Sequence, residues 1–296
     1  MAVPPVLVIG DLLYDMLAKV DGDLTLGTDT FVPIRVAAGG SGANAAAWLA
    51  HSGVETSFVG RVGDDVFGGF LEGEMERSGV RSYLARDPSL ATGKVFVLVD
   101  GAGERTMITD RGAGEALRPE DLPETLFTAG HLHLSGYTLS GGSRRETAKK
   151  ALSLARGAGM TVSVDPSSIP LLESVGPDRF MEWTRGADLF FPNFTEGEAL
   201  TGETSPNRIL EKLLPYYPAV VLKLGPEGAV YADAGGNLLR EPAAPARVED
   251  TTGAGDAFSA GFLAAWLDGE PPAEALRRGV GLAARAVGRV GARPRV

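Results

Sequence analysis

Residues 248–258 read Val-Glu-Asp-Thr-Thr-Gly-Ala-Gly-Asp-Ala-Phe, a glycine turn that closes on an aspartate and opens an apolar helical stretch at 257–267. Gly253 and Gly255 lack a Cβ, so the backbone can fold tightly enough for its amide hydrogens to converge on one point. The positive end of the following helix points to the same place, and together these groups suit an anion or a transferring phosphoryl group. Two roles are open to Asp256 in that first turn: capping free amides, or accepting a proton from a substrate hydroxyl.

Three further clusters carry chemistry. Gly39-Gly40-Ser41-Gly42-Ala43-Asn44 leads into a second helix, with glycines that admit a polar ligand and an Asn44 that offers donors and an acceptor to hydroxyls, or simply caps. Asn193 and Glu196 stand three apart at a helix start, which suits a hydrated magnesium ion or, equally, a capping box. Lys223-Leu224-Gly225-Pro226-Glu227-Gly228 reads as a turn, either a plain hairpin connection or a ligand loop. His131 and His133 alternate with leucines on an expected strand, with no further zinc ligands nearby, and read as packed or hydrogen-bonded histidines.

Composition excludes several classes. The 296 residues are 44% hydrophobic, enough for one large α/β core without staples, and the absence of cysteine rules out disulfides and thiolate chemistry. A formal charge of -10 disfavours nucleic acid and anionic membranes as partners. No apolar segment reaches the roughly 20 residues of a membrane span, and a cytoplasmic location is expected. There is no Walker-type phosphate loop, no dinucleotide fingerprint after the first strand, and no G-x-S-x-G. The tail after Glu274 carries Arg277, Arg278, Arg285, Arg289, Arg293 and Arg295 with no acid, which reads as a solvated helix face or as a surface beside a polyphosphate.

The elements that must position these residues follow from alternating patterns. Strands are expected at 6–9, 56–59, 131–134, 162–165, 189–191 and 220–224, with helices at 43–51, 66–77 and 144–156. This alternation predicts an α/β fold around a mostly parallel sheet of at least six strands. Two stretches break it, 15–37 and 92–109, each reading as short extended segments joined by Gly and Asp turns. They predict one small inserted β-sheet, either a lid beside the carboxyl ends of the parallel strands or a pair of hairpins padding an edge. One domain spanning 1–296 is expected, with the lid at about 15–37 and 92–109.

The order of the motifs is more specific than any one of them. Gly10 with Asp15, then 39–44, then Gly60-Arg61-Val62-Gly63-Asp64-Asp65 with Phe67 and Gly68, then Asn193 with Glu196, then 250–256, closely resembles the ribokinase-like carbohydrate kinases, the PfkB family, over essentially the whole chain. The resemblance implies a three-layer ribokinase-like fold, and Asp256 as the catalytic base for a sugar hydroxyl attacking the γ-phosphate of ATP. The backbone of Gly253, Ala254 and Gly255 would form the anion hole. It further implies magnesium organised through water by Asn193 and Glu196, and nucleotide contacts from these two with Lys223, Gly225, Gly228 and Thr252. Sugar hydroxyls would meet Asp15, Gly39, Gly40 and Asn44 under the lid. Many such proteins hold a monovalent cation, potassium, and Asp250, Thr252, Ala286 and Gly291 match that site, although Arg295 stands where ribokinases have a small polar residue.

Two departures speak against ribose. Ser41 replaces the lysine of ribokinases, and the strand ending Leu134-Ser135-Gly136 lacks their acidic sugar ligand. Arg105 and Arg111 beside the lid can fork onto a carboxylate or phosphate, as in a ketodeoxygluconate or sugar phosphate kinase, or pair with Glu104 and Asp110. The alternatives are a nucleoside kinase of the same superfamily, with Phe31, Tyr137 or Phe96 walling the base, and a non-catalytic sugar or nucleotide sensor. The resemblance also makes a homodimer through the lid an open option, with 95–99, Phe31 and Val32 supplying the edge, or with the same residues belonging to a hairpin packed on its own domain.

Overall fold

Val6, Leu7, Val8 and Ile9 are all buried, so this run has no solvent face. Such a strand belongs inside a sheet covered on both sides. The computed structural model describes residues 3–20, 22, 27–101, 105–128 and 130–294. Among these, the strands are β1 Val6–Ile9, β2 Leu13–Lys19, β3 Ile34–Gly39, β4 Thr56–Gly63, β5 Arg81–Asp87, β6 Thr92–Val99, β7 Arg105–Gly112, β8 His131–Ser135, β9 Thr161–Asp165, β10 Leu189–Phe190, β11 Ala219–Lys223, β12 Ala229–Asp233 and β13 Leu238–Glu241. The helices are α1 Ser41–His51, α2 Val66–Arg77, α3 Gly142–Gly157, α4 Ile169–Val175, α5 Pro177–Thr184, α6 Phe194–Thr201, α7 Pro206–Leu213, α8 Ala254–Leu267 and α9 Pro272–Val287.

Nine strands form one sheet in the order β13-β12-β11-β10-β9-β8-β1-β4-β5. From β11 to β5 every pairing is parallel, and β12 and β13 add an antiparallel edge. Successive strand residues feed opposite faces: Leu7, Ile9, Val220 and Leu222 pack with α3 to α7, while Val6, Val8, Ala219 and Val221 pack with α1, α2, α8 and α9. Three layers result. Helix α8 is buried almost throughout, and its small residues let α1 and α9 approach it closely. No helix among the described residues is long and apolar enough to cross a membrane.

The two interrupting stretches pair with each other into a second sheet, β3-β2-β6-β7, whose minor core is Leu13, Val95 and Val97. Residues 21, 23–26 and 102–104 of these stretches lie outside the described residues, Glu104 among them. One expectation is overturned here. Residues 95–99 do not supply an edge, because β6 is paired on both sides, to β2 and to β7. The edges are β3 and β7.

The Gly60–Gly68 motif is chiefly structural. Arg61 is buried and forks onto Asp87 at 2.8 Å and Asp121 at 2.9 Å. Asp65 caps α2 by accepting from the Gly68 amide, and also accepts from the amide and hydroxyl of Thr92, at 2.8 and 2.6 Å. One carboxylate thus ties the main sheet to the first residue of β6.

Candidate active site

Helix α8 begins at Ala254, three residues before its apolar run, so Asp256 lies inside the first turn. Gly253 precedes it in the left-handed region, with φ 74°, and a Cβ there would stand 2.5 Å from the Ala292 carbonyl oxygen. Only glycine fits that place. No side chain caps the helix, which leaves the amides of Gly255 and Asp256 without a side-chain partner. Asp256 is therefore not an N-cap. Its carboxylate instead accepts from Ser41 Oγ at 2.8 Å and Asn44 Nδ2 at 3.0 Å, so both glycine clusters meet at this residue. Burial, reinforced by the nearby Asp165 carboxylate, pushes Asp256 up to about 7. A carboxyl with this value exchanges a proton near neutrality.

Asp15 lies on β2, and its Oδ1 is buried without a hydrogen-bond partner. Burial raises it to about 7 against the pull of Arg293. A Cβ on Gly39 would come within 2.1 Å of the Asp15 carboxylate, so the glycine is what makes room for it. Arg293, read from sequence as part of a solvated or phosphate-facing tail, turns inward instead. It donates to Asn44 Oδ1 at 3.1 Å and to the Gly39 carbonyl at 2.9 Å, and burial lowers it to about 10. Its basic neighbours in the tail gave no sign of this; the partners lie some 250 residues away in the chain.

Asp165, which ends β9, is a second residue that the sequence did not single out. Lys223 Nζ donates to it at 2.6 Å, and Ser259 Oγ at 3.2 Å. The signal for it was an aspartate at the carboxyl end of a parallel strand. Glu196 is buried and raised by burial, then by Asp165. With Asn193 it forms a full capping box: Asn193 Oδ1 accepts from the Glu196 amide at 2.9 Å, and Glu196 accepts from the Asn193 amide at 2.8 Å. No group of three or more acidic or histidine side chains fit to hold a metal occurs among the described residues. Magnesium would therefore rest mainly on phosphate oxygens and water, with Glu196 behind them.

Lys223, Gly225, Gly228 and Gly255 line a cavity of about 610 Å³ whose remaining wall is largely apolar, including Phe258 and Val280. Its size and character suit a nucleotide base and ribose. The 223–228 turn is both things it was read as, a β11–β12 hairpin connection and part of this wall.

Arg105 departs from expectation. It does not reach Asp15 or Asn44; it pairs with Asp250 at 3.2 Å and also donates to the hydroxyls of Thr251 and Thr252. Opposite charge draws it there from β7. Asp250 is otherwise occupied by the amide and hydroxyl of Thr252 and by the Gly291 amide at 3.0 Å. The Arg105 guanidinium thus pairs with the Asp250 and Thr252 oxygens that match the expected cation site. Ala286 is buried within α9 and joins the core on that side of the sheet. Arg295 lies outside the described residues.

Elsewhere, His131 and His133 are buried and share Ser163, with His131 also bonded to Thr161. Phe31 is exposed, Tyr137 lies under the Arg111 guanidinium, and Phe96 sits mid-strand in β6.

Residues 4–296 match the pattern that defines the pfkB family carbohydrate kinases. The chain is 32% identical over 291 residues to an ATP-dependent ribose-1-phosphate kinase of Halopiger xanaduensis, covering 95% of this chain and 89% of that protein. It is 32% identical over 254 residues to a 2-dehydro-3-deoxygluconokinase of Bacillus subtilis, covering 81% and 77%. Among solved structures, an adenosine kinase from Sinorhizobium meliloti superposes with a TM-score of 0.89 at 27% identity, covering 100% and 97%. An Escherichia coli putative ribokinase II in complex with ATP and magnesium gives 0.88 at 25%, covering 98% and 94%.

Proposed function

The chain belongs to the pfkB family of carbohydrate kinases, and from that premise we propose that Asp256 is the general base of an ATP-dependent phosphorylation of a sugar hydroxyl. The observation that carries the assignment is the Asp256 carboxylate, half-buried, poised near neutrality and held by Ser41 and Asn44 above an uncapped helix start. Asp256 takes the proton from the sugar hydroxyl as that oxygen bonds to the γ-phosphorus; the bond from phosphorus to the β–γ bridging oxygen breaks, and ADP leaves. Gly253, Ala254 and Gly255 shape the turn that presents free amides to the transferred group. Lys223, freed from Asp165 or shared with it, adds positive charge at the phosphates. Glu196 and Asn193 would order the water around a magnesium ion, which would supply further charge neutralisation at the phosphates.

Asp15, Gly39, Gly40 and Asn44 form the sugar cradle, and the four-stranded sheet closes over it as a lid. In that cradle the orphaned Asp15 Oδ1 is an acceptor without a donor until a sugar hydroxyl arrives. Asp256→Asn keeps nucleotide binding and loses turnover by roughly 10²–10⁴-fold. Single-turnover ADP release with a sugar panel checks this; unchanged turnover in the variant refutes the assignment.

The lid sheet also leaves apolar side chains in water: Phe31 is 92% exposed and Ile108 63%, with Ile34, Val36 and Met107 beside them in sequence. These fit a second copy of the chain. Sedimentation velocity would find a dimer, dispersed by Ile34→Glu; a wild-type monomer at micromolar concentration refutes it.

A further inference from the structure

A second cavity, of about 390 Å³, is lined by Arg111, Tyr137, Arg144 and Ser168, and each of the two arginines carries a buried donor without a hydrogen-bond partner. Arg144, the third residue of α3, is 6% exposed and its Nε has no hydrogen-bond partner. Arg111, near the end of β7, lies 3.8 Å above the Tyr137 ring, and its Nη1 is likewise buried and unpartnered. The N-terminus of α3 enters the same cavity through Gly141 and Gly142, with no capping side chain, and Ser168 adds a hydroxyl. Buried guanidinium N–H groups without acceptors are costly unless something that is not protein fills the place.

The acids nearby do not fill it. Glu115 reaches Arg144 Nη2 at 3.2 Å, but its side chain is 61% exposed and can swing into water. Asp11 stands 3.8 Å from Arg111, beyond hydrogen-bond range, and its other oxygen is taken by the Gly42 amide and Ser135 Oγ. Asp11 also locates the cavity. It accepts from the amide of Gly42, which follows the Ser41 that donates to Asp256, so a short run of contacts links Arg111 to the base. Ser167, which precedes the lining residue Ser168, has φ 77° and bonds to Ser135 at 3.2 Å.

We propose that the acceptor sugar has a second, anionic end, a carboxylate or a phosphate, which Arg111 and Arg144 grip while the hydroxyl at its other end faces Asp256. The inference rests on the kinase reading above and names its substrate class. Arg144 brings a planar fork and α3 brings oriented amides, a pairing that recognises several oxygens at once and that a neutral sugar would leave unsatisfied.

The test compares a sugar acid, a sugar monophosphate, neutral aldoses and ketoses, and nucleosides as acceptors, with ADP as the readout. The wild type is expected to favour one anionic class by about 10²-fold in kcat/KM, and the class favoured tells carboxylate from phosphate. Arg144→Gln and Arg111→Gln are each expected to raise KM for that acceptor at least about 30-fold, with KM for a neutral sugar unmoved, and Arg144→Lys to recover part. A preference for neutral sugars, or equal effects on both classes, overturns this inference and leaves the kinase reading intact. No ADP from any acceptor overturns both. Should Arg144→Gln fail to fold, the wild type decides: KM for the anionic acceptor that rises with ionic strength more than KM for a neutral one supports the grip, and equal slopes overturn it.

Discussion

At the scale of the residue, Asp256 is unusual for what it does not do. A carboxylate in the first turn of a helix ordinarily stabilises that helix by accepting its free amides. Here it leaves them open and takes donors from α1 instead, so the amides and the carboxylate serve different ligands. Its elevation to about 7 sets a pH dependence: below that value the folded enzyme carries a protonated, non-basic Asp256. The expected kcat/KM profile falls tenfold per unit below about pH 7, measured by initial rates under subsaturating sugar; a flat profile from pH 5.5 to 8 contradicts it. The pair Asn193 and Glu196 was readable because a capping box is local, three residues wide. Arg293 and Asp165 were not, since what they touch is fixed only when distant loops meet.

At the scale of the element, two of the ties between the small sheet and the main body matter most for the site. Asp65 holds the start of β6 through Thr92, and Arg105 at the start of β7 holds the loop before the anion hole through Asp250, Thr251 and Thr252. Movement of β7 therefore moves the turn that receives the phosphoryl group. If Arg105 supplies the positive charge that potassium would bring, wild-type turnover is the same in potassium and in sodium. Arg105→Ala is expected to lower kcat roughly tenfold and to regain part of it in potassium alone. A wild type activated by potassium refutes the substitution of guanidinium for ion. The parallel strands were legible because runs such as Val6–Ile9 are apolar on both faces. The start of α8 was not, because Gly253 and Gly255 look like a turn whichever of them is helical. The inner position of β6 was hidden for a different reason: an apolar strand reads alike whether one neighbour flanks it or two.

At the scale of the molecule, the site is a stability cost. Asp15 and Asp256 are raised to about 7, and Glu196 is raised as well. A raised carboxyl binds its proton more tightly folded than unfolded, so its contribution is present at low pH and lost as pH climbs from about 4 to about 7. The buried histidines oppose it. His131 and His133 are pushed down to about 3 and 4, so the unfolded chain takes up their protons first and stability rises with pH up to about 6.5. These opposed trends flatten the wild-type melting curve against pH, and a variant isolates one of them. Asp256→Asn removes a single raised carboxyl, so its stability relative to wild type should grow by about 2–3 kcal/mol between pH 5 and pH 8. Melting by calorimetry checks this; a difference independent of pH contradicts the burial of that charge.

Residues 288–293 touch both glycine loops. Ala292 O abuts Gly253 and accepts from Trp48 Nε1 at 2.9 Å, Gly291 donates to Asp250, and Arg293 holds Gly39 and Asn44. The last strand of the nine-stranded sheet ends at Glu241, so these contacts come from a part of the chain that the sheet itself does not include. The geometry of both glycine loops thus depends on the stretch 291–293, far beyond the last strand of the sheet.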